Sequence, residues 1–568
     1  KILIICLKKL LFIFLLIMIC GNSFSQTELV HVSNPVYDYL KRMQLKHVIP
    51  EYNSSAAPLS RKKISAYLLI IKSNENILNS VDKKILDDLM VEFEYDMYGS
   101  VKSQSSLIKR NGFENIFNDR KEKHLYFYSD SGNTFYSNLN LTFSQRGSSG
   151  DSLGKNSITL GQIGLDLRGT LFNAVAYSLN LNRGAILSGD SADISFASET
   201  DNNLKGNYSF SKDMKNFNSF EGYLRYQTGS EWMSLMFGRS KFISGFGYAD
   251  KLFLSQYSYP FDFGRIEINY KALSYSFTYG SIQGDSAEIY PKVTGVPLSS
   301  KNIATHSLNI NFSDMFKMGL WESVIISQQP FSFTYLNPVS FLTSADLGTG
   351  DEQTTKNNSL LGIEFEVIPV KNFSFQSSLL IDDLTFGTLG KNDSLNENKF
   401  AWQFGAYWTT PLNADLIFEY THLDPFVYSH RSNKSTYTNK SVPLGHSLPP
   451  NSDEIAAQFK YRFSNRLGFN FKYRFQRSGE GILLDSAGNL IANFGGDINF
   501  GLGDAYLRSN GFLDGKRINR NILSAEIYWE PVNQFVLECK LENETVTDVE
   551  RNISKSDFYF FANLKMSF

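Results

Sequence analysis

The sequence predicts an all-β transmembrane barrel, antiparallel and of about 18 strands, preceded by a small N-terminal periplasmic three-helix domain. Three observations predict it. From about residue 133 onward, apolar and polar residues alternate with a period of two. The links between the alternating segments are short and long in turn. The chain also ends on such a segment, "SKSDFYFFANLKMSF", whose apolar face runs Phe558, Phe560, Ala562, Leu564, Met566, Phe568.

Taken in order, residues 1–25 read as a signal peptide. Lys8 and Lys9 precede "LLFIFLLIMIC", and the small residues Ser23 and Ser25 set up cleavage before Gln26. Ile19 stands before Cys20, where a lipoprotein signal would carry a small residue. Residues 34–99 then have a helical texture. Asn34 with Pro35 opens a helix carrying Val36, Tyr39, Leu40 and Met43 on one face. Ser60 is placed to cap "RKKISAYLLIIK", and Ser80 to cap "VDKKILDDLMVEFEYDMYG".

Residues 133–568 form the predicted barrel. "RLGFNFKYRFQR" sets Leu467, Phe469, Phe471, Tyr473 and Phe475 against Asn470, Lys472, Arg474 and Gln476. "LLGIEFEV" sets Leu361, Ile363, Phe365 and Val367 against Glu364 and Glu366. Short links such as "TLFN", "TGSE", "DMFK", "PVKN" and "PVNQ" alternate with long polar ones at roughly 184–216, 240–262, 283–302, 328–357, 384–398, 424–452 and 478–518. A soluble sandwich gives no reason for that rhythm. An even strand count returns both ends of the barrel to the periplasmic side, beside the helices. Lys460, Arg462, Lys472 and Arg474 then point inward, as do Glu526, Glu530, Glu538, Glu542 and Glu544 on later strands. Such charges either pair across strands and fill the bore or line a wet pore. Phe568 ends the closing strand on its lipid face, a terminal aromatic of the kind that the barrel assembly machinery reads.

Composition narrows the function. With 55 basic and 57 acidic residues, the chain offers nucleic acid no bulk attraction. The load of 47 Phe and 30 Tyr with only 15 Pro suits a long β protein. Past the signal only Cys539 remains, so neither an internal disulfide nor a Cys-based metal site is available. No HExxH, GxSxG or phosphate-binding glycine loop occurs. His306, with outward parity near the external rim, reads as an interfacial histidine without an oriented catalytic partner. Asp382 and Asp383 point to opposite faces and cannot act as one glycosidase pair. No cofactor and no metal is expected.

Five stretches resemble the Wzi-type capsule assembly proteins of Gram-negative outer membranes: "VYDYLKRMQLKHVI", "GRSKFISGFGYADKLFLSQYSYPFDF", "YLNPVSFL", "LLIDDLTFG" and "YTHLDPFVYSHRSNKSTYTNKSVPLGHSLPPNSDE". They occur in family order. The resemblance implies an eighteen-stranded barrel with a periplasmic helical bundle, acting as an outer-membrane lectin that attaches capsular polysaccharide to the cell surface. The long loop after Gln476 has no counterpart in it.

The loops at 240–262, 328–343 and 420–452 carry these stretches and concentrate aromatic and polar groups, the pairing that sugar recognition uses. The candidate glycan-binding residues are Arg239, Tyr248, Asp250, Asp382, Tyr428, His430 and Tyr437. Gly245 and Gly247 serve the loop's backbone path. The competing readings are a porin or transporter for small solutes and, behind it, an outer-membrane enzyme. The expected partners are surface polysaccharide, outer-membrane lipids and the assembly machinery.

Overall fold

The computed structural model describes residues 26–568 except 110–111, 114, 131, 209–213, 285–299, 328–332, 344–356, 385–397, 431–432, 485, 487–489, 500–506 and 509–510. The expected signal segment lies outside the described residues. Strands β1 (Thr134–Gly150), β2 (Asn156–Leu171), β3 (Val175–Ser188), β4 (Asn216–Gln227), β5 (Met233–Ser240) and β6 (Phe261–Tyr270) form the first third of a barrel. Next come β7 (Leu273–Gln283), β8 (Ser300–Ser313), β9 (Phe316–Ser327), β10 (Asn358–Val370), β11 (Phe373–Asp383) and β12 (Lys399–Thr409). The last third is β13 (Ala414–Leu423), β14 (Ser452–Arg462), β15 (Leu467–Glu480), β16 (Lys516–Val532), β17 (Phe535–Asp548) and β18 (Ile553–Ser567).

Every neighbour in this order is hydrogen-bonded, and β18 pairs antiparallel with β1 from Asp557↔Gly150 to Ser567↔Asn140. The ladder continues one residue further: Leu139 and Phe568 exchange N–H···O bonds of 2.7 and 3.0 Å. A closed sheet leaves no edge, which is what a strand protein needs to cross lipid. The outward parity is apolar. Phe143, Ile163, Phe237, Phe404, Phe418, Ile455, Ile527 and Phe558 all stand exposed on it. Phe568 has that parity too, with its ring set edge-on against Phe535 at 5.6 Å.

One rim carries only short turns, such as 271–272, 371–372 and 533–534, whose Lys271, Asn372 and Gln534 adopt positive φ as two-residue hairpin loops require. The other rim carries the long loops, but not uniformly. The links 151–155 and 549–552, on either side of the closing seam, are short. The alternation expected from sequence therefore breaks at the two hairpins that flank the seam.

Helices α1 (Val36–Leu45), α2 (Arg61–Ser73), α3 (Ser80–Glu92) and the single-turn α4 (Glu94–Tyr98) sit at the short-turn rim. Asn34 Oδ1 accepts from Val36 N at 2.9 Å, and the Ser60 side chain accepts from Lys63 N. Ser80 does not cap α3. Asn79, one residue earlier and an equally strong capping type, accepts from Asp82 N instead.

Helix α1 enters the bore. Arg42 is buried between Asp82 (Nε···Oδ1 3.0 Å) and Asp415 of β13. Lys41 pairs with Glu366 of β10, which also takes Lys317 at 3.2 Å. Leu45 packs with Ile368, Tyr407 and Ile417. These ionic contacts are buried, so each group needs its partner in place. The inward charges expected from sequence are largely paired: Lys460 with Asp38 at 2.8 Å, Arg462 with Asp415 at 2.6 Å, and Lys565 with Glu538 at 2.7 Å.

Candidate functional site

The long-loop mouth is built over β10–β13, whose inward side chains reach up to two loops. Glu364 accepts from Phe246 N at 2.6 Å. Glu419 accepts from Tyr248 N at 2.6 Å, Ala249 N at 3.0 Å and Asp250 N at 3.3 Å. Two carboxylates thus hold loop 241–260 inside the bore by charge-assisted hydrogen bonds to its backbone. The path demands glycine. Gly245 has φ +126°, and a Cβ on Gly247 would stand 1.9 Å from Asp250 O.

Loop 424–451 lies on top of that loop. Tyr428 Oη donates to Leu252 O at 2.6 Å and Tyr437 Oη to Phe253 O at 3.0 Å. The two rings are stacked, with centroids 5.5 Å apart. Asp382 Oδ2 accepts from Tyr428 N at 2.5 Å, and Asp250 Oδ2 from Ser447 N at 2.8 Å. Phe253 stacks on Trp321 of β9 at 4.3 Å. Burial raises the phenol pKa values of Tyr248, Tyr428 and Tyr437, which stay neutral donors.

Tyr248, Asp250, Asp382, Tyr428 and Tyr437 are therefore brought together, as a buried framework. Tyr428 and Tyr437 are 0% exposed and Asp250 is 6% exposed. Half-buried His430 lies at the edge of the same loop. Arg239 stands apart. It shares the outward parity of Phe237, lies over the Phe220 ring at 4.8 Å and meets Asp262 at 3.4 Å.

The expected mouth segment 328–343 is corrected. Its described part, 333–343, lies on the outer wall, where Tyr335 and Leu342 cover Ala304, Val324 and Ile326. The cause is Glu322, on the outward parity of β9, which accepts from Leu342 N and Thr343 N. The same carboxylate pairs with His306 Nε2 at 2.5 Å, so His306 has an oriented partner that the sequence did not reveal. Sequence reading also missed the holding role of Glu364 and Glu419. Inward parity opposite Ile363 and Phe365 was the available signal for Glu364. Its target was not, because a loop's path carries no periodicity.

The bore is not completely filled. A 730 Å³ cavity runs beside β1–β5, lined by Asn138, Gln162, Asp166, Asn180, Asn182 and others. A separate 390 Å³ cavity lies between α2, β4–β8 and the underside of loop 241–260.

The family model of the capsule assembly protein Wzi matches residues 137–546. The chain belongs to the Wzi capsule assembly family. Among solved structures it is similar to Wzi, described as an outer-membrane protein involved in group 1 capsule assembly in Escherichia coli and a carbohydrate-binding β-barrel. Identity is 12% over 95% of this chain and 99% of that one, with a TM-score of 0.56, a likeness of fold. OprD of Pseudomonas aeruginosa is 10% identical over 76% of this chain and 95% of its own, with a TM-score of 0.42. Among curated proteins none matches. Membership of the Wzi family and the apolar belt together identify an outer-membrane barrel.

Proposed function

We propose that this protein is a lectin-like member of its family: it binds capsular or other surface polysaccharide at its long-loop rim and helps anchor that polymer to the cell. The long-loop rim faces outward and the helices face the periplasm. The observation that carries this reading is the mouth itself, where two loops are locked by buried hydrogen bonds into a fixed surface spanning part of the bore. A rigid aromatic and polar surface loses little entropy on binding a polymer. In this reading Asp250, Asp382, Tyr428 and Tyr437 shape the surface from beneath, with Tyr248 deeper in the bore. His430, with half-buried Tyr257 and Lys440, lies where a glycan passes. Arg239 extends that surface to the outer wall. No bond is broken, so no nucleophile is assigned.

The competing reading is a solute channel, and the two cavities favour it. Against it, α1 and loop 241–260 meet inside the bore, with Lys41 Nζ 5.6 Å from the Tyr248 ring centroid. The test is retention of surface polysaccharide in cells lacking the gene and in cells carrying His430→Ala with Tyr257→Ala and Lys440→Ala. Shedding at normal barrel levels supports the reading; normal retention in both strains defeats it. A large steady current in planar bilayers supports the channel instead.

A further inference from the structure

The 390 Å³ cavity has a charge pattern that the mouth does not explain. Its lining carries five cationic side chains, Lys62, Lys63, Arg225, Arg265 and Lys271, against two carboxylates, Glu231 and Glu267. The formal excess is three positive charges. Lys62 and Glu231 pair with each other where α2 meets the short turn after β4, which marks the pocket's opening. Deeper in, one carboxylate serves two guanidinium groups. Glu267 takes Arg265 Nε at 2.8 Å and Arg225 Nη2 at 3.4 Å. Arg225 is 3% exposed; its Nη1 donates to Thr27 O at 3.0 Å and Gln227 Oε1 at 2.8 Å, and its buried Nε has no hydrogen-bond partner. The Lys63 ammonium makes no ion pair or hydrogen bond among the described residues, although Glu267, Glu231 and Glu51 lie within electrostatic reach.

Phe242, Phe253 and Leu254 of loop 241–260 line its inner side. Phe242 also supports the Arg265 guanidinium, 4.5 Å from its ring centroid. Thr278 Oγ1 fixes the same guanidinium through Nη1 at 2.8 Å. The cavity is thus preorganised and short of negative charge. Low-dielectric walls strengthen the field of cations that lack counter-charges. A neutral ligand leaves that imbalance in place; an anion removes it through charge-assisted hydrogen bonds. The volume lies at the low end of the range for ligand pockets, about 300–1,000 Å³, and suits a single sugar-sized group rather than a polymer in transit.

We propose that this pocket is an anion site opening at the short-turn rim, where Lys63, Arg225 and Arg265 receive the carboxylate or phosphate of a small ligand or of a chain end. It is separate from the mouth and does not rest on the function proposed above. The test uses the full-length barrel in detergent, with glucuronate, inorganic phosphate and glucose as the three ligands in calorimetry. Binding of glucuronate or phosphate but not glucose is expected, and which anion binds tells carboxylate from phosphate. Lys63→Gln should weaken it about tenfold while Lys63→Arg retains it, both barrels remaining heat-modifiable. Arg265→Gln provides a second variant deeper in the pocket and should weaken binding likewise. The proposal is overturned if neither anion binds, if glucose binds as well as they do, or if Lys63→Gln and Arg265→Gln leave the affinity unchanged.

Discussion

Glu419 accepts hydrogen bonds from three consecutive peptide N–H groups of loop 241–260 and is itself 4% exposed. Glu419→Gln removes the charge and turns an amide donor toward backbone donors, at a cost of about 1–3 kcal/mol. The variant should become cleavable by trypsin after Lys251 in folded barrel, whereas the parent chain resists. A milder effect belongs to Tyr428. Tyr428→Phe keeps the ring stack and loses the bond to Leu252 O, so it should lower barrel stability by about 1 kcal/mol without opening the loop to trypsin. These residues also show where sequence reading stops. Tyr428 and Tyr437 are legible as a polar–aromatic pair in one loop. A phenol that stacks on a sugar and one that donates to a buried carbonyl look the same in sequence, because loop residues have no parity to reveal which way they face.

At the level of elements, the strands were legible because lipid outside and charge inside impose a strict period of two, and that period is written in "LGFNFKYRFQ" and "LECKLENE". The helices were legible from caps, with a shift of one residue at Asn79. The placement of 333–343 was not legible, since it depends on one outward carboxylate, Glu322, reaching two loop N–H groups. The segment before β1 yields a pH prediction. His124 is buried, with Nδ1 2.8 Å from Asn138 Oδ1 and Nε2 without a partner. Burial pushes its pKa down to about 3 from 6.5. Between these values the released segment binds a proton that the docked one does not. Docking is therefore fully stable above pH 6.5 and weakens as pH falls toward 3, by up to about 1.4 kcal/mol per pH unit. Protease sensitivity of residues 100–132 should rise between pH 7 and pH 5, and His124→Phe should flatten that rise.

For the whole molecule, closure depends on the seam. Phe568 completes the β18–β1 ladder through Leu139 and caps the outer face against Phe535. Deleting Phe568 should lower the amount of heat-modifiable barrel in the outer membrane; unchanged levels would contradict its role in assembly. The meeting of α1 and loop 241–260 has a different consequence. Tyr248 touches Tyr407, its hydroxyl lies 2.7 Å from Ser374 Oγ, and Lys41 stands beside its ring while holding Glu366. Tyr407 in turn packs on Leu45. Loop 241–260 and helix α1 are thereby joined inside the bore by touching side chains. Tyr248→Ala cuts that link, so amide exchange in α1 should quicken although the substitution lies in a loop reached from the opposite rim. A displacement of loop 241–260 is therefore expected to reach α1 through solid contact, with Tyr248 as the linkage between them.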